Sequence, residues 1–140
     1  MTRVHRKFAR SIDSLGSIYE FTENALIEGR INDLAKFPVQ LAMEELFVNM
    51  VKYNPETTSD IECEIETLDG KVTVILTEYG VQPFDVTQPR NVDIEASLEE
   101  RRPGGLGLHL IQTMVDKLEY EYDDGTSRVK FVKETENPDV

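Results

Sequence analysis

Glu45 and Asn49 stand four residues apart, within a segment whose apolar residues Val39, Met43, Leu46, Phe47 and Met50 recur at helical spacing. On a helix the two polar side chains project side by side, about 40° apart around the axis. Both fall on a shoulder of the apolar stripe, where a helix meets the rim of a cleft. A carboxamide there offers a neutral, hard oxygen for Mg²⁺, provided that nucleotide phosphates supply the negative charge. A carboxylate beside it can orient or deprotonate a nucleophile. Taken alone, a solvated helix face made of Glu45, Asn49 and Lys52 is the simpler account of this spacing.

A second candidate is the run Arg101-Arg102-Pro103-Gly104-Gly105-Leu106-Gly107, which leads into an apolar-faced segment. Glycines allow a backbone to approach phosphate closely, and free N–H groups at a helix start attract anions. Three glycines in four positions are costly at the head of a core helix unless close approach is needed. A flexible linker ending in a glycine-rich cap fits this run equally well. Elsewhere the chemistry is sparse. The two histidines, His5 and His109, and the one cysteine, Cys63, give little material for a zinc site or a Cys–His nucleophile pair.

The elements that must hold these residues follow from pattern. The 140 residues suit one domain with one core, read as residues 1–140. Arg3–Phe8 reads as a short strand. Ser11 to Ser14 supply N-cap candidates for a helix to about Glu28, closed by Gly29. A second helix runs from near Asp33 to Tyr53, with Pro38 marking its first turn. Ile61, Cys63 and Ile65 alternate with Glu62, Glu64 and Glu66, as in a strand with one wet face. Asp69-Gly70 and Asp124-Gly125 are hairpin turns, joining that strand to Val72–Glu78 and Leu118–Asp123 to Ser127–Lys133. A helix from the glycine turn to about Lys117 presents Leu110, Ile111, Met114, Val115 and Leu118 to the sheet. Residues 85–103 lack periodicity, as a lid or binding loop does. The expected fold is α+β, a two-layer sandwich with three helices on one face of a mainly antiparallel sheet.

Composition narrows the function. With 27 acidic and 15 basic side chains, the net charge is −12, a field that repels nucleic acid and anionic lipid. The N-terminal run lacks the apolar region of a secretory signal, no stretch is long enough to span a membrane, and a lone cysteine suits a reducing compartment. A cytoplasmic location is expected.

Several segments then occur in a telling order. Met43 to Tyr53 resembles the N box of the GHKL ATPase superfamily. Glu78-Tyr79-Gly80, followed by Pro83-Phe84-Asp85, resembles its first glycine box. Leu98 to Leu108 resembles the lid end and second glycine box. Within that superfamily, the short length and closing hairpin are similar to the anti-sigma factor serine/threonine-protein kinases of bacterial partner-switching systems, which carry a histidine-kinase-like (Bergerat-type) ATP-binding domain. The resemblance implies ATP and Mg²⁺ as cofactors, with Asn49 on the metal and Glu45 as the catalytic carboxylate that accepts a substrate hydroxyl proton. Gly104, Gly105, Leu106 and Gly107, with Lys52 and Arg101, would serve the triphosphate beneath a lid at about 85–103. Glu78 would meet the adenine amino group, with Gly80 beneath the base. The implied substrate is a serine or threonine on a STAS-domain antagonist, and members of the family also bind sigma factors and form homodimers.

Two features depart from the family pattern: Glu78 replaces an aspartate, and Gly80 to Phe84 is one residue longer than usual. They keep a second function open, a regulatory module that sequesters a sigma factor or other partner without catalysis or without nucleotide.

Overall fold

The computed structural model describes residues 1–53, 57–87 and 105–134, with the side chains of 105 and 106 left aside. Five strands form one sheet: β1 (Thr2–Phe8), β2 (Ile61–Leu68), β3 (Lys71–Tyr79), β4 (Lys117–Asp123) and β5 (Thr126–Glu134). Their order across the sheet is β1-β2-β3-β5-β4, and every neighbouring pair is antiparallel. The helices α1 (Leu15–Glu28), α2 (Asp33–Tyr53) and α3 (Gly105–Met114) complete an α+β fold of the expected class.

Both predicted hairpins form. Asp69 and Gly70 have φ of 50° and 80°, and Asp124 and Gly125 have 46° and 84°. Positive φ at both central residues is the type I′ geometry that matches strand twist. Alternation in β2 places Ile61, Cys63 and Ile65 in the core, and burial pushes the Cys63 thiol pKa up. Glu62, Glu64 and Glu66 lie on the opposite face, where Arg3 and Lys7 of β1 form ion pairs with them and His5 Nε2 lies 3.7 Å from Glu62. Such exposed pairs add little to stability.

Of three expectations about the helix ends, two need correction and one, the closure of α1 by Gly29, holds with a different geometry. Pro38 does not open α2, which begins at Asp33. Asn32 caps that start, its Oδ1 accepting the Leu34 N–H at 2.9 Å. The proline forfeits a bond to the Leu34 carbonyl, but Leu34 is exposed, so water is at hand for that oxygen. Second, Gly29 closes α1 without positive φ. Arg30 takes that conformation at 56°, while Ile31 N–H bonds Leu26 O and Arg30 N–H bonds Ile27 O, the two bonds of a Schellman cap. Gly29 is needed for close approach instead, since a Cβ there would overlap the Thr67 side chain.

Third, α3 ends at Met114, short of Lys117. The Asp116 N–H already bonds Val132 O of β5 at 2.8 Å, so the chain has joined the sheet. Leu118 therefore belongs to β4, opposite Phe131, and Leu110 is exposed. The buried face of α3 is Leu108 and Ile111, and Val115 extends it just past the helix end. It packs with Val39, Met43, Leu46, Phe47 and Met50 of α2 in one core, all five being residues of the predicted stripe.

Candidate functional site

Packing α3 beside α2 brings Gly107 against Glu45. A Cβ built on Gly107 would overlap the Glu45 carboxylate, so only glycine leaves this carboxylate where it is. Glu45 is half-buried, and His109, two residues along α3, is exposed. Asn49, one turn further along α2, is 5% exposed. Its Nδ2 is buried and has no hydrogen-bond partner among the described residues. A buried amide nitrogen without a partner is costly, which marks a place where something polar belongs.

These residues fit a nucleotide-borne Mg²⁺. The Asn49 carboxamide oxygen is a hard, neutral donor that suits this ion when phosphates complete its shell, and Glu45 beside it stays available to a nucleophile. Among the described residues no group of three or more His, Cys, Asp or Glu side chains is placed to hold a metal by itself. Lys52 is exposed in the last turn of α2. Gly105 opens α3, but Arg101 and Gly104 lie outside the described residues, as do the Leu106 side chain and most of the expected lid. At the start of that expected segment, Val86 is in the core, and Gln112 of α3 donates to the Val86 and Thr87 carbonyls at 3.2 and 3.4 Å.

The other end of the site forms where β3 leaves the sheet. Gly80 has φ of 69°, and a Cβ there would meet nothing within 4 Å, so its backbone faces open space. The β4–β5 hairpin supports this turn: Val81 N–H bonds Gly125 O at 3.0 Å, and the Tyr122 hydroxyl donates to Val81 O at 2.8 Å. The Tyr120 hydroxyl accepts the Phe84 N–H at 2.9 Å, and the Phe84 ring lies against Tyr53 at the end of α2.

Glu78 lies beside this turn and is buried, and its partner is one that pattern reading missed. Arg10 Nη1 donates to Glu78 Oε2 at 2.7 Å, with both side chains about 5% exposed or less. Nη1 also bonds the Met50 carbonyl, and Nε bonds the Ser59 carbonyl. One guanidinium thus ties the end of α2 to the end of β3. Burial pushes the Glu78 carboxyl pKa up, while the Arg10 hydrogen bond and charge oppose that shift. Nothing local marks Arg10 in sequence, because a single arginine after a strand reads as surface.

A separate apolar groove of about 350 Å³, between α1 and α2 and lined by Leu15, Tyr19, Phe37 and Leu41 among others, lacks this chemistry. No helix among the described residues is long and apolar enough to cross a membrane.

Comparison with known proteins gives the chain a family. The family model described as a histidine kinase-like ATPase domain matches residues 8–133. The serine-protein kinase RsbW of Listeria monocytogenes is 33% identical over 104 residues, which are 69% of this chain and 66% of that protein. The serine-protein kinase RsbW of Halalkalibacterium halodurans is 27% identical over 104 residues, 70% of this chain and 64% of that protein. The matched region thus spans just under two thirds of these curated relatives. A crystal structure of the RsbU and RsbW domains of a Mycobacterium tuberculosis protein superposes with a TM-score of 0.68 at 13% identity, covering 96% of this chain and 32% of that one.

Proposed function

Because the chain belongs to the histidine kinase-like ATPase domain family, we propose that it is an ATP-dependent serine/threonine protein kinase that acts on a STAS-domain anti-sigma antagonist. Its similarity to proteins named serine-protein kinases supports this reading. The observation that carries it is the Glu45–Gly107 contact, which brings the carboxylate of α2 to the glycine turn at the head of α3. In this reading residues 1–140 act as one ATP-binding domain under a lid at about 85–103, and partners include a sigma factor and a second copy of the chain.

Bound Mg²⁺ would neutralise phosphate charge, with Asn49 as its protein ligand. Phosphoryl transfer asks mainly for positioning and electrostatics. Glu45 accepts the proton of the substrate hydroxyl as its oxygen bonds to the γ-phosphorus and ADP departs. Gly104, Gly105, Leu106 and Gly107 give the phosphates room and backbone N–H groups, with Arg101 and Lys52 adding positive charge. Glu78 and Gly80 take the adenine. The test is transfer of label from [γ-³²P]ATP to a STAS-domain antagonist, with Glu45→Gln as control. Label on the antagonist with the native chain and not with the variant supports the kinase. Saturated nucleotide without transfer overturns it.

One observation favours a second reading, a regulator that holds its partner without nucleotide. Arg10 already satisfies part of the Glu78 carboxylate, the group the base would need. Partner capture that is indifferent to ATP would establish that reading instead.

A further inference from the structure

Arg10 has more donors than its protein partners use. Nε and Nη1 reach Ser59 O, Met50 O and Glu78 Oε2, yet Nη2 is buried with no partner among the described residues. Leaving a charged donor unpaired in a dry site is expensive, so such atoms are met by an unseen water or by a ligand. This donor belongs to the same guanidinium that grips Glu78, so a cationic donor and an anionic acceptor lie together at the end of β3. Gly80, two residues on, opens its backbone to empty space.

That pair complements one edge of a 6-aminopurine. The amino group donates and the adjacent ring nitrogen N1 accepts, so a carboxylate and a guanidinium side by side match both atoms. We propose that Arg10 is a base-recognition residue: its Nη2 donates to N1 of the adenine whose amino group Glu78 accepts. The proposal rests on the reading of Glu78 and Gly80 as the base end of a nucleotide site. It also gives the departure from aspartate a purpose. The extra methylene of Glu78 carries the carboxylate out to where Arg10 meets it, and the two act as one unit.

The test pairs a change in the ligand with a change in the residue. ATP, 1-deaza-ATP (in which N1 is a C–H) and 7-deaza-ATP are titrated with Mg²⁺ into the full native chain and into Arg10→Lys. Lysine keeps a cation for Glu78 but lacks the planar fork, so its one nitrogen cannot occupy the places of both Nη1 and Nη2. Melting curves of each protein establish that both are folded, and Arg10→Met serves as a further variant. The native chain is expected to bind 1-deaza-ATP between about tenfold and a hundredfold more weakly than ATP, the range for a charged hydrogen bond. It should treat 7-deaza-ATP like ATP, and Arg10→Lys should bind ATP and 1-deaza-ATP alike.

If the native chain binds ATP and 1-deaza-ATP equally, Nη2 is satisfied by water and the proposal is overturned. It is also overturned if Arg10→Lys discriminates as strongly as the native chain, because Arg10 is then only structural. Absence of any ATP binding to the native chain would overturn the nucleotide reading itself, an outcome distinct from the other two. The native-chain comparison needs no variant, so it stands even if both substitutions unfold the protein.

Discussion

The two ends of the candidate site are built in different ways. At one end, Glu45 and Asn49 come from a single helix, and one packing contact with Gly107 completes the arrangement. At the other, Glu78 and Arg10 lie 68 positions apart and meet through a buried ion pair that also binds the Met50 and Ser59 carbonyls. The first end resembles a local motif set on a rigid rod. The second is a junction on which fold and site both depend. Substitutions at the first end should therefore cost chemistry, and substitutions at the second should cost stability as well.

The largest expected effect is at the local end. Glu45→Gln should lower phosphoryl transfer by roughly 10²–10⁴-fold, the usual worth of a positioned general base. Its ATP affinity should stay within about threefold, as calorimetry can establish. A similar loss of affinity and rate would move Glu45 from catalysis to binding.

Arg10→Met probes the junction. Removing one partner of a buried ion pair costs about 3–5 kcal/mol, read as a lower urea midpoint. The sign of its pH dependence follows from Glu78. Burial already pushes this carboxyl pKa above its ordinary 4.5, and Arg10 is what opposes the shift. Without Arg10 the folded-state pKa rises further, so the folded state holds the proton over a wider range than the unfolded chain does. Stability should then fall as pH climbs above 4.5, and the variant's deficit should be larger at pH 8 than at pH 5. A deficit independent of pH would mean that Glu78 is not the group left uncompensated.

Gly107→Ala separates site from fold. The added methyl meets the Glu45 carboxylate, and transfer should drop by about tenfold or more, since small displacements of reacting groups are costly. Alanine is better than glycine inside a helix by up to about 1 kcal/mol, so stability should hold or rise slightly. At the smallest end, Tyr122→Phe removes the hydroxyl that donates to Val81 O. It should cost about 1 kcal/mol in urea unfolding, with the rate of transfer little changed.

The same contrast explains what the sequence allowed to be read. Hairpin turns, the β2 alternation and the α2 stripe are local patterns, and each formed where pattern placed it. The end of α3 was misjudged because an apolar period continues through Leu118, whereas the Asp116 bond to Val132 had already committed the chain to the sheet. Pro38 lies inside α2 rather than at its start because the carbonyl it leaves unpaired, that of Leu34, is on an exposed turn. Arg10 was invisible because its importance comes wholly from partners at Met50, Ser59 and Glu78, and no spacing rule joins such positions. Glu78 itself was legible, though only as a departure from a family pattern.

Both ends are held here to belong to one nucleotide site, and calorimetric titration of ATP into the full native chain, with and without Mg²⁺, tests that claim most directly. Binding should saturate at one ATP per chain and be tightened by Mg²⁺, with the tightening lost in Asn49→Ala. A folded native chain that takes up no ATP with or without the metal would contradict it.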